Sequence, residues 1–399
     1  MVGPASGGWT AGTIVQPDGF QLGAGETPVF CSPCHSALET SLASVAYGGG
    51  IFVAVGIAFP APRAAAWYSR DGVRWQPASV PATAGTSLMD GVAYGPGGFV
   101  AVGGAGSSAA AWWSADGRTW VEEPVPAAAA GASATARAKG AASAPGSTGA
   151  PGAAHARGAA RMNAVTAWRG GFVAGGQVRT TSGASIAEFW TSSDGRSWTA
   201  HSATGSGATG SYLDGGNVVA LASTTSGLVA VGTVSSLDGV TGTSWTSRDG
   251  GEWIQAQDGG LASDRPLAVG SAGERIVAVG DTSDQSRAAA WWSIDGRRWT
   301  PARVAGDTNH GLRIEMTGLA NAGTGFLAVG QRDSAGNGAA VAWTSPDGTA
   351  WTRLADDVSF EGAKMTAVAA GAAGIVAVGA LGLPDNWAAA SWEINLPLP

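Results

Sequence analysis

The sequence lacks the segments that would hold a protein in a membrane or direct it across one. It has no run of 18 apolar residues, so no membrane-spanning segment is predicted. Its first residues have neither the basic region nor the apolar region of a signal peptide. We therefore expect either a cytosolic protein or the mature part of a longer precursor.

The chain is also poor in positive charge. Its 22 Lys and Arg residues are outnumbered by 29 Asp and Glu residues, which gives a net charge of −7 at pH 7. Residues 124–161 contain four basic residues and no acid, so the rest of the chain carries −11. Because nucleic-acid binding requires a basic surface, this acidic body argues against a nucleic-acid partner.

Glycine and tryptophan are abundant, with 64 and 18 residues, and many of them belong to one repeated motif. The pattern Ser-x-Asp-Gly-x-x-Trp occurs six times, first at residues 69–75. Asp-Gly between two apolar runs is a strong hairpin signal, because the tight turn needs a positive φ. A calcium loop would need several more carboxylates, so we interpret the motif as structural. Its six aspartates are Asp71, Asp116, Asp194, Asp249, Asp295 and Asp347.

Each motif ends a longer unit that contains three further apolar runs. The units contain a run like Met365–Val368, then one like Phe52–Gly56, then an Ala-rich run like Ala64–Trp67. Each unit therefore predicts four short strands, A to D, with the Asp-Gly motif in the C–D turn. Successive motif aspartates lie 45 to 78 residues apart. Four-stranded units of about 40–50 residues are typical of β-propeller blades.

The sequence contains seven B runs but only six motifs, because the last unit stops after strand C. The segment Trp9–Ala11 matches the D strands of the other units and is predicted to complete the seventh blade. Closure of the ring would cover an otherwise exposed strand edge. We therefore predict a single all-β domain, residues 1–399, folded as a seven-bladed β-propeller. It has four antiparallel strands per blade, and an N-terminal strand closes the last one.

The D-strand tryptophans and the A-strand methionines are predicted to fill the space between neighbouring blades. The tryptophans are Trp9, Trp75, Trp120, Trp198, Trp253, Trp299 and Trp351. The methionines are Met89, Met162, Met316 and Met365.

The motifs resemble the Asp-box, or BNR, repeats of sialidase-like propellers. Similar repeats occur in sortilin-type receptors, in some glycoside hydrolases and in photosystem II assembly-factor propellers. The resemblance covers nearly the whole chain and implies the propeller fold. It supplies no catalytic residue, because the sequence has no Phe/Tyr-Arg-Ile-Pro motif and only four tyrosines. The family's catalytic tyrosine and arginine triad therefore have no counterpart assigned in this chain.

Residues 124–161 form an insertion between blades two and three that is rich in Ala, Gly, Pro and Ser. Such a segment cannot bury enough apolar surface to offset its ordering entropy, so we predict a disordered loop. It acts either as an inert connection or as a tether.

The two cysteines belong to the motif Cys31-Ser32-Pro33-Cys34-His35. Cys-x-x-Cys-His is the attachment pattern of c-type haem, but nothing nearby reads as the helices that would enclose a haem. We expect a local disulfide between Cys31 and Cys34 or a free pair, and no cofactor. Covalent haem at Cys31, Cys34 and His35 is the alternative. A disulfide would favour an extracytoplasmic or secreted protein.

The D–A and B–C connections, which share one face of a propeller, contain the remaining candidate site residues. All four histidines are predicted in D–A connections, but no pair has metal-ligand spacing, so no metal site is predicted. Loop acids such as Asp264 show no pairing in the sequence. Four arginines in B–C connections are the candidate ligand-binding residues, because arginines can bind anionic groups. They are Arg63, Arg179, Arg287 and Arg332.

Two functions remain open. The first is a non-catalytic, extracytoplasmic binding or scaffolding propeller, monomeric, that engages a protein or a glycan on the D–A/B–C face. The second is a glycoside hydrolase of sialidase-like type, which would need two carboxylates in apposition on the same face. Because a fold alone does not establish catalysis, we favour the non-catalytic function.

Overall fold

Seven antiparallel sheets, arranged as the blades of a ring, make up the computed structural model. It describes residues 8–15, 21–22, 40–59, 61–83, 85–126, 157–180, 183–203, 215–236, 239–256, 259–261, 264–306, 313–323, 325–333, 338–383 and 386–394. The prediction of a seven-bladed propeller with four antiparallel strands per blade is confirmed. None of the helices in the described part of the chain is long and apolar enough to span a membrane.

The chain begins with three short strands, β1 (Trp9–Ala11), β2 (Thr13–Val15) and β3 (Gln21–Leu22). Blade one contains β4 (Ser41–Gly48), β5 (Ile51–Ala58), β6 (Arg63–Ser69) and β7 (Arg74–Pro77). Blade two contains β8 (Ser87–Gly95), β9 (Gly98–Ala105), β10 (Ser108–Ser114) and β11 (Val121–Glu123). Blade three contains β12 (Arg157–Trp168), β13 (Gly171–Thr180), β14 (Ser185–Ser192) and β15 (Thr199–Ser202).

Blade four contains β16 (Gly215–Ser223), β17 (Leu228–Ser236), β18 (Gly239–Ser247) and β19 (Ile254–Gln255). Blade five contains β20 (Asp264–Ala272), β21 (Arg275–Thr282), β22 (Ala288–Ser293) and β23 (Thr300–Pro301), followed by β24 (Arg303–Ala305). Blade six contains β25 (Arg313–Asn321), β26 (Phe326–Asp333), β27 (Ala339–Ser345) and β28 (Ala350–Arg353). A 3₁₀ turn (Val358–Phe360) precedes blade seven, which contains β29 (Ala363–Gly371), β30 (Gly374–Leu383) and β31 (Asn386–Ile394).

The N-terminal strand closes the ring, as predicted. β1 pairs antiparallel with β31, with Trp9 opposite Ile394 and Ala11 opposite Trp392, and it is the fourth strand of blade seven. The A strands contact one another in the order β4, β8, β12, β16, β20, β25, β29 and back to β4. They therefore form the inner wall of a closed ring.

Segments that follow a D strand pair in parallel with the D strand of the next blade. β2 pairs with β7, and β24 pairs with β28. The indole N–H of Trp67 donates to the carbonyl of Val15 at 3.0 Å, which ties the first of these segments to blade one. These contacts cover blade edges that would otherwise expose unpaired backbone groups.

The hydrophobic core lies between the blades. The D-strand tryptophans from Trp75 to Trp351 are at most 5% exposed, and they share clusters with residues of the preceding blade. Trp253, for example, stacks on Phe189 of blade three with ring centroids 3.8 Å apart. The four A-strand methionines are also buried, as expected for residues that fill the space between blades.

Every A strand contains a β-bulge at the same place. The bulge explains why each predicted B run ends in glycine, as Phe52–Gly56 does. A Cβ on that glycine would collide with the backbone carbonyl just before the bulge, for example Gly103 with Leu88. A bulge adds one residue to a strand and displaces its backbone locally, so the facing residue must be small. The seven glycines are Gly56, Gly103, Gly176, Gly232, Gly280, Gly330 and Gly379.

The predicted insertion, 124–161, ends earlier than expected. Its residues 127–156 lie outside the described residues, so the prediction of disorder there stays a prediction. Residues 157–161, in contrast, belong to β12 and pair with β13. The strand extends over them because Ala160 and Arg161 pair opposite Val178 and Gln177, which lengthens the inner strand of blade three.

Candidate functional site

The polar residues on the two faces of the ring make different contacts. One carries the C–D turns and the A–B turns and is called here the C–D face. The other carries the D–A and B–C connections and is called the D–A/B–C face.

In the six Ser-x-Asp-Gly-x-x-Trp turns on the C–D face, the serine and aspartate side chains accept hydrogen bonds from backbone amides of their own turn. In each, the serine hydroxyl accepts a hydrogen bond from the glycine amide at 2.8–2.9 Å. The aspartate Oδ1 accepts from the amides two and three residues ahead in the first five copies. The glycines adopt φ values of 69° to 81°, as a tight turn requires.

These contacts stabilise the ionised carboxylates. The amides of Ser197 and Arg196, in that order, hold the pKa of Asp194 below its ordinary value. The tryptophan indole commonly completes the turn, as where the Nε1–H of Trp253 donates to the Gly250 carbonyl at 2.9 Å. The predicted structural role of the six aspartates is therefore consistent with their geometry, since one oxygen of each carboxylate accepts hydrogen bonds within the turn.

On the D–A/B–C face, each blade has a pair of facing residues next to the bulge, called here the rung, and both members are polar in blades three to six. Its members are the residue that precedes the bulge in strand A and the residue that follows the strand-B glycine, such as Arg161 opposite Gln177. Equivalent pairs are Arg265 opposite Asp281 and Glu315 opposite Gln331. The sequence showed these positions as a repeat, but only the strand register places them on one level of the ring.

The largest charged group of this rung joins blades five and six. Arg265 donates to both oxygens of Asp281, with Nε 2.9 Å from Oδ1, and its NH2 also lies 3.5 Å from Glu315 Oε2. Arg313 and Gln331 also contact Glu315, at 3.5 and 2.5 Å. Asp281 has no exposed surface. Two carboxylates therefore converge on one guanidinium, and the two arginines balance their charge.

A second ion pair joins blades two and three. Arg161 donates from Nε and NH2 to the two oxygens of Asp90, each at 2.6 Å. Asp90 is the bulged residue of β8, which directs its carboxylate toward the next blade. In the next junction, Asn163 donates to Asn217 Oδ1 at 2.8 Å. Sequence analysis missed these contacts between blades.

The four predicted arginines lie at the B–C ends of their blades, but the structure does not gather them into one cluster. Arg63 begins β6, whereas Arg179 and Arg332 lie near the ends of β13 and β26, so these three belong to strands rather than to connections. Arg287 does lie in a B–C connection. They belong to blades one, three, five and six, so other blades separate most of them.

Their surroundings also differ. Arg63 and Arg179 are exposed and make no side-chain hydrogen bond or ion pair with the described residues. Arg332 is paired with Asp356 at 3.2 Å. Arg287 acts electrostatically on Asp264, which begins β20 instead of lying in a loop. Burial raises the pKa of Asp264, and Arg287 opposes that shift.

The prediction that all four histidines lie in D–A connections is wrong for His201. This residue is in β15, because strand D of blade three extends to Ser202. Its Nε2 lies 2.8 Å from the hydroxyl of Thr191, and burial lowers its pKa. His35, His155 and His310, with Cys31 and Cys34, lie outside the described residues. Within the described ranges, no group of three His, Cys, Asp or Glu residues has the arrangement of a metal site.

No protein-family model matches this chain, and no curated protein matches it. Solved propellers are similar to it in structure. YCF48 bound to D1 peptide superposes with a TM-score of 0.52 and 14% identity, over 92% of this chain and 94% of that one. The phage phi92 endosialidase gives 0.51 and 9%, over 99% and 69%. Trypanosoma rangeli sialidase in complex with the inhibitor DANA gives 0.43 and 11%, over 97% and 58%. At these identities the likeness shows the propeller fold alone.

Proposed function

We propose that the protein is a non-catalytic binding propeller and that its ligand, a protein or a glycan, occupies the D–A/B–C face. The contrast between the two faces carries the proposal. On the C–D face the turn carboxylates are bonded within their own turns, whereas Arg63 and Arg179 on the other face are exposed and have no side-chain partner among the described residues. Rigid scaffolds place binding residues on such variable connections.

Charge and structural likeness both support a protein ligand. Unpaired guanidinium groups can bind carboxylates through two parallel hydrogen bonds. One propeller of similar fold is described as bound to a peptide. A disulfide between Cys31 and Cys34 would favour an extracytoplasmic location, and we propose a monomer without a cofactor.

The test compares two variants of the whole chain. A pull-down and a glycan array first identify a ligand. The site variant replaces Arg63, Arg179, Arg287 and Arg332 by Ala. The control variant replaces Arg70 and Arg248, which are exposed on the C–D face. We expect only the site variant to lose the ligand while both variants keep their melting temperature.

Two other arginines in C–D turns are unsuitable as controls because they contact aromatic rings of the preceding blade. Arg118 and Arg196 also lie in C–D turns, but their guanidinium groups stack over Tyr68 at 5.2 Å and Trp113 at 3.7 Å. Replacing them would disturb contacts between blades. Loss of the ligand in the control variant alone would place the binding surface on the C–D face and contradict the proposal.

The alternative function is a glycoside hydrolase, and one observation favours it. Asp281 and Glu315 converge beside Arg265 on the D–A/B–C face, as two catalytic carboxylates would. Both carboxylates are neutralised by arginine, however, and Asp281 has no surface for a substrate to reach. We therefore prefer binding. Hydrolysis of any member of a fluorogenic glycoside panel, abolished by Glu315→Gln, would reverse that preference.

A further inference from the structure

A small groove lies between blades two and three on the D–A/B–C face. Its volume is about 170 Å³, and Thr86, Gly104, Arg161, Gln177 and Arg179 are among the residues that line it. Pockets for drug-sized ligands have volumes of roughly 300–1,000 Å³. This groove is smaller, so it accommodates one side chain or one chain end rather than an oligosaccharide.

The groove exists because blade two has Gly104 at the rung position that follows the strand-B glycine. The equivalent residues of the other six blades are larger: Ile57, Gln177, Thr233, Asp281, Gln331 and Ala380. The fold does not require a glycine here. A Cβ at Gly104 would lie 3.6 Å from the Ser108 carbonyl and 3.8 Å from Arg161 Cγ, which is ordinary contact. Gly103 next to it, in contrast, faces the bulge and has no such space.

Two guanidinium groups border this space. Arg161 is held in place by its two hydrogen bonds to Asp90. Arg179 is exposed and has no acid partner among the described residues. One positive charge is therefore left over at the groove, and the hydroxyl of Thr86 and the amide of Gln177 add neutral hydrogen-bonding groups.

Two other cavities do not have an unpaired positive charge of this kind. The cavity near the 3₁₀ turn is bordered by Arg332, but Asp356, Asp357 and Glu361 line it as well. The cavity between the A–B turns of blades six and seven is lined by alanine, glycine and isoleucine. An anionic group is therefore favoured at the groove between blades two and three.

We infer that this groove binds a single carboxylate side chain from an acidic segment of a protein partner, with Arg179 as the residue that pairs with it. Arg161 borders the groove but does not pair with the ligand, since Asp90 already occupies its Nε and NH2. Arginine pairs well with a carboxylate because its planar group donates two parallel hydrogen bonds. The inference deepens the proposed function and depends on it, since it assigns the ligand chemistry of the same face.

The test uses the full chain and two labelled peptides, one of alternating Glu and Gly and one of alternating Gln and Gly. Fluorescence anisotropy measures the affinity of each peptide. Arg179→Ala removes the pairing group, and Gly104→Gln fills the groove with the side chain that blade three has at this position. Arg70→Ala is the matched control, an exposed arginine of blade one that lies on the C–D face and outside the proposed site.

We expect the Glu peptide to bind the wild type more tightly than the Gln peptide. Arg179→Ala and Gly104→Gln should each weaken the Glu peptide by about tenfold, the effect of losing a hydrogen bond to a charged group. Melting temperatures should be unchanged, and Arg70→Ala should bind as the wild type does. Equal affinity for both peptides, or equal loss in Arg70→Ala and Arg179→Ala, would overturn the inference.

This failure is separate from failure of the proposed function. A ligand found by pull-down that is lost in the four-arginine variant but kept in Gly104→Gln would retain the proposed face and remove the groove from it. A ligand kept in the four-arginine variant would remove both.

Discussion

The C–D face and the D–A/B–C face are built from the same seven blades, yet they differ in what their polar residues contact. On the C–D face, each aspartate is bonded to backbone amides of its own turn. On the opposite face, side chains pair across blades, as Arg161 does with Asp90, or have no partner in the described part of the chain, as is the case for Arg179. Local contacts repeat with the sequence, whereas contacts across blades differ from one junction to the next.

This difference teaches where variation is tolerated. A turn that satisfies its own donors and acceptors stabilises every blade in the same way, so a change there costs folding free energy. A residue that points away from the blade contacts, such as Arg179, can change without that cost. Substitution of a residue that the fold requires should therefore lower stability, whereas substitution of a neighbouring or exposed residue that it does not require should have little effect.

The largest loss of stability is expected when a D-strand tryptophan between two blades is removed. Trp253→Ala removes a side chain with no exposed surface that stacks on Phe189, so we expect a loss of about 3–5 kcal/mol in unfolding free energy. Its neighbour Ile254 is 47% exposed, and Ile254→Ala should change stability little. Urea unfolding of the two variants measures both values. Equal stability of the two variants would contradict the interpretation that Trp253 stabilises the contact between blades three and four.

Two adjacent glycines give the sharpest comparison on the D–A/B–C side. Gly103→Ala places a Cβ against the Leu88 carbonyl at the bulge, and such overpacking costs about 1–3 kcal/mol. Gly104→Ala meets nothing closer than 3.6 Å and should be neutral or slightly stabilising, because it restricts the unfolded chain. Thermal and urea unfolding of both variants measure this difference in stability. If the two variants unfold alike, the bulge does not explain the glycine.

A turn aspartate should matter more for stability than an arginine of the proposed site. Asp249→Ala leaves the amides of Gly251 and Glu252 without their acceptor, at a cost of about 1–3 kcal/mol. Arg179→Ala should leave the unfolding free energy nearly unchanged, since the side chain is exposed and pairs with none of the residues that the structure describes. The measurement is again denaturant unfolding. A large loss in Arg179→Ala would mean that this face is also structural.

The smallest effect is a dependence of stability on pH. The amide of Glu252 is the main cause that lowers the pKa of Asp249, and the other turn aspartates shift in the same direction. A carboxyl whose pKa is lower when folded stabilises the fold above its unfolded pKa, about 3.9, and loses that contribution as the pH falls through the folded value.

The contribution of the turn aspartates to stability should therefore decrease as the pH falls below about 5. The variant Asp249→Asn does not titrate, so its stability difference from the wild type should shrink on acidification. Melting curves between neutral and acidic pH measure this difference. A difference that grew toward low pH would show that the turn does not favour the ionised carboxylate.

The sequence by itself determined the number of blades, the four strands of each blade and the closing role of β1. It could do so because these features depend on local patterns: a turn that needs Asp-Gly, apolar runs of strand length and a tryptophan at a fixed spacing. The same patterns located the B-strand glycine but gave no reason for it. The reason lies in the bulge of the facing strand, which only the paired backbone shows.

Only the tertiary structure decided which polar residues meet. Asp281 and Glu315 are far apart in sequence and in different blades, and the packing of blade five against blade six brings them to Arg265. The four arginines predicted as one group are divided among four blades by the same ring geometry. Contacts inside a turn are set by neighbouring residues, whereas contacts between blades are set by strand register and by the angle at which the ring closes.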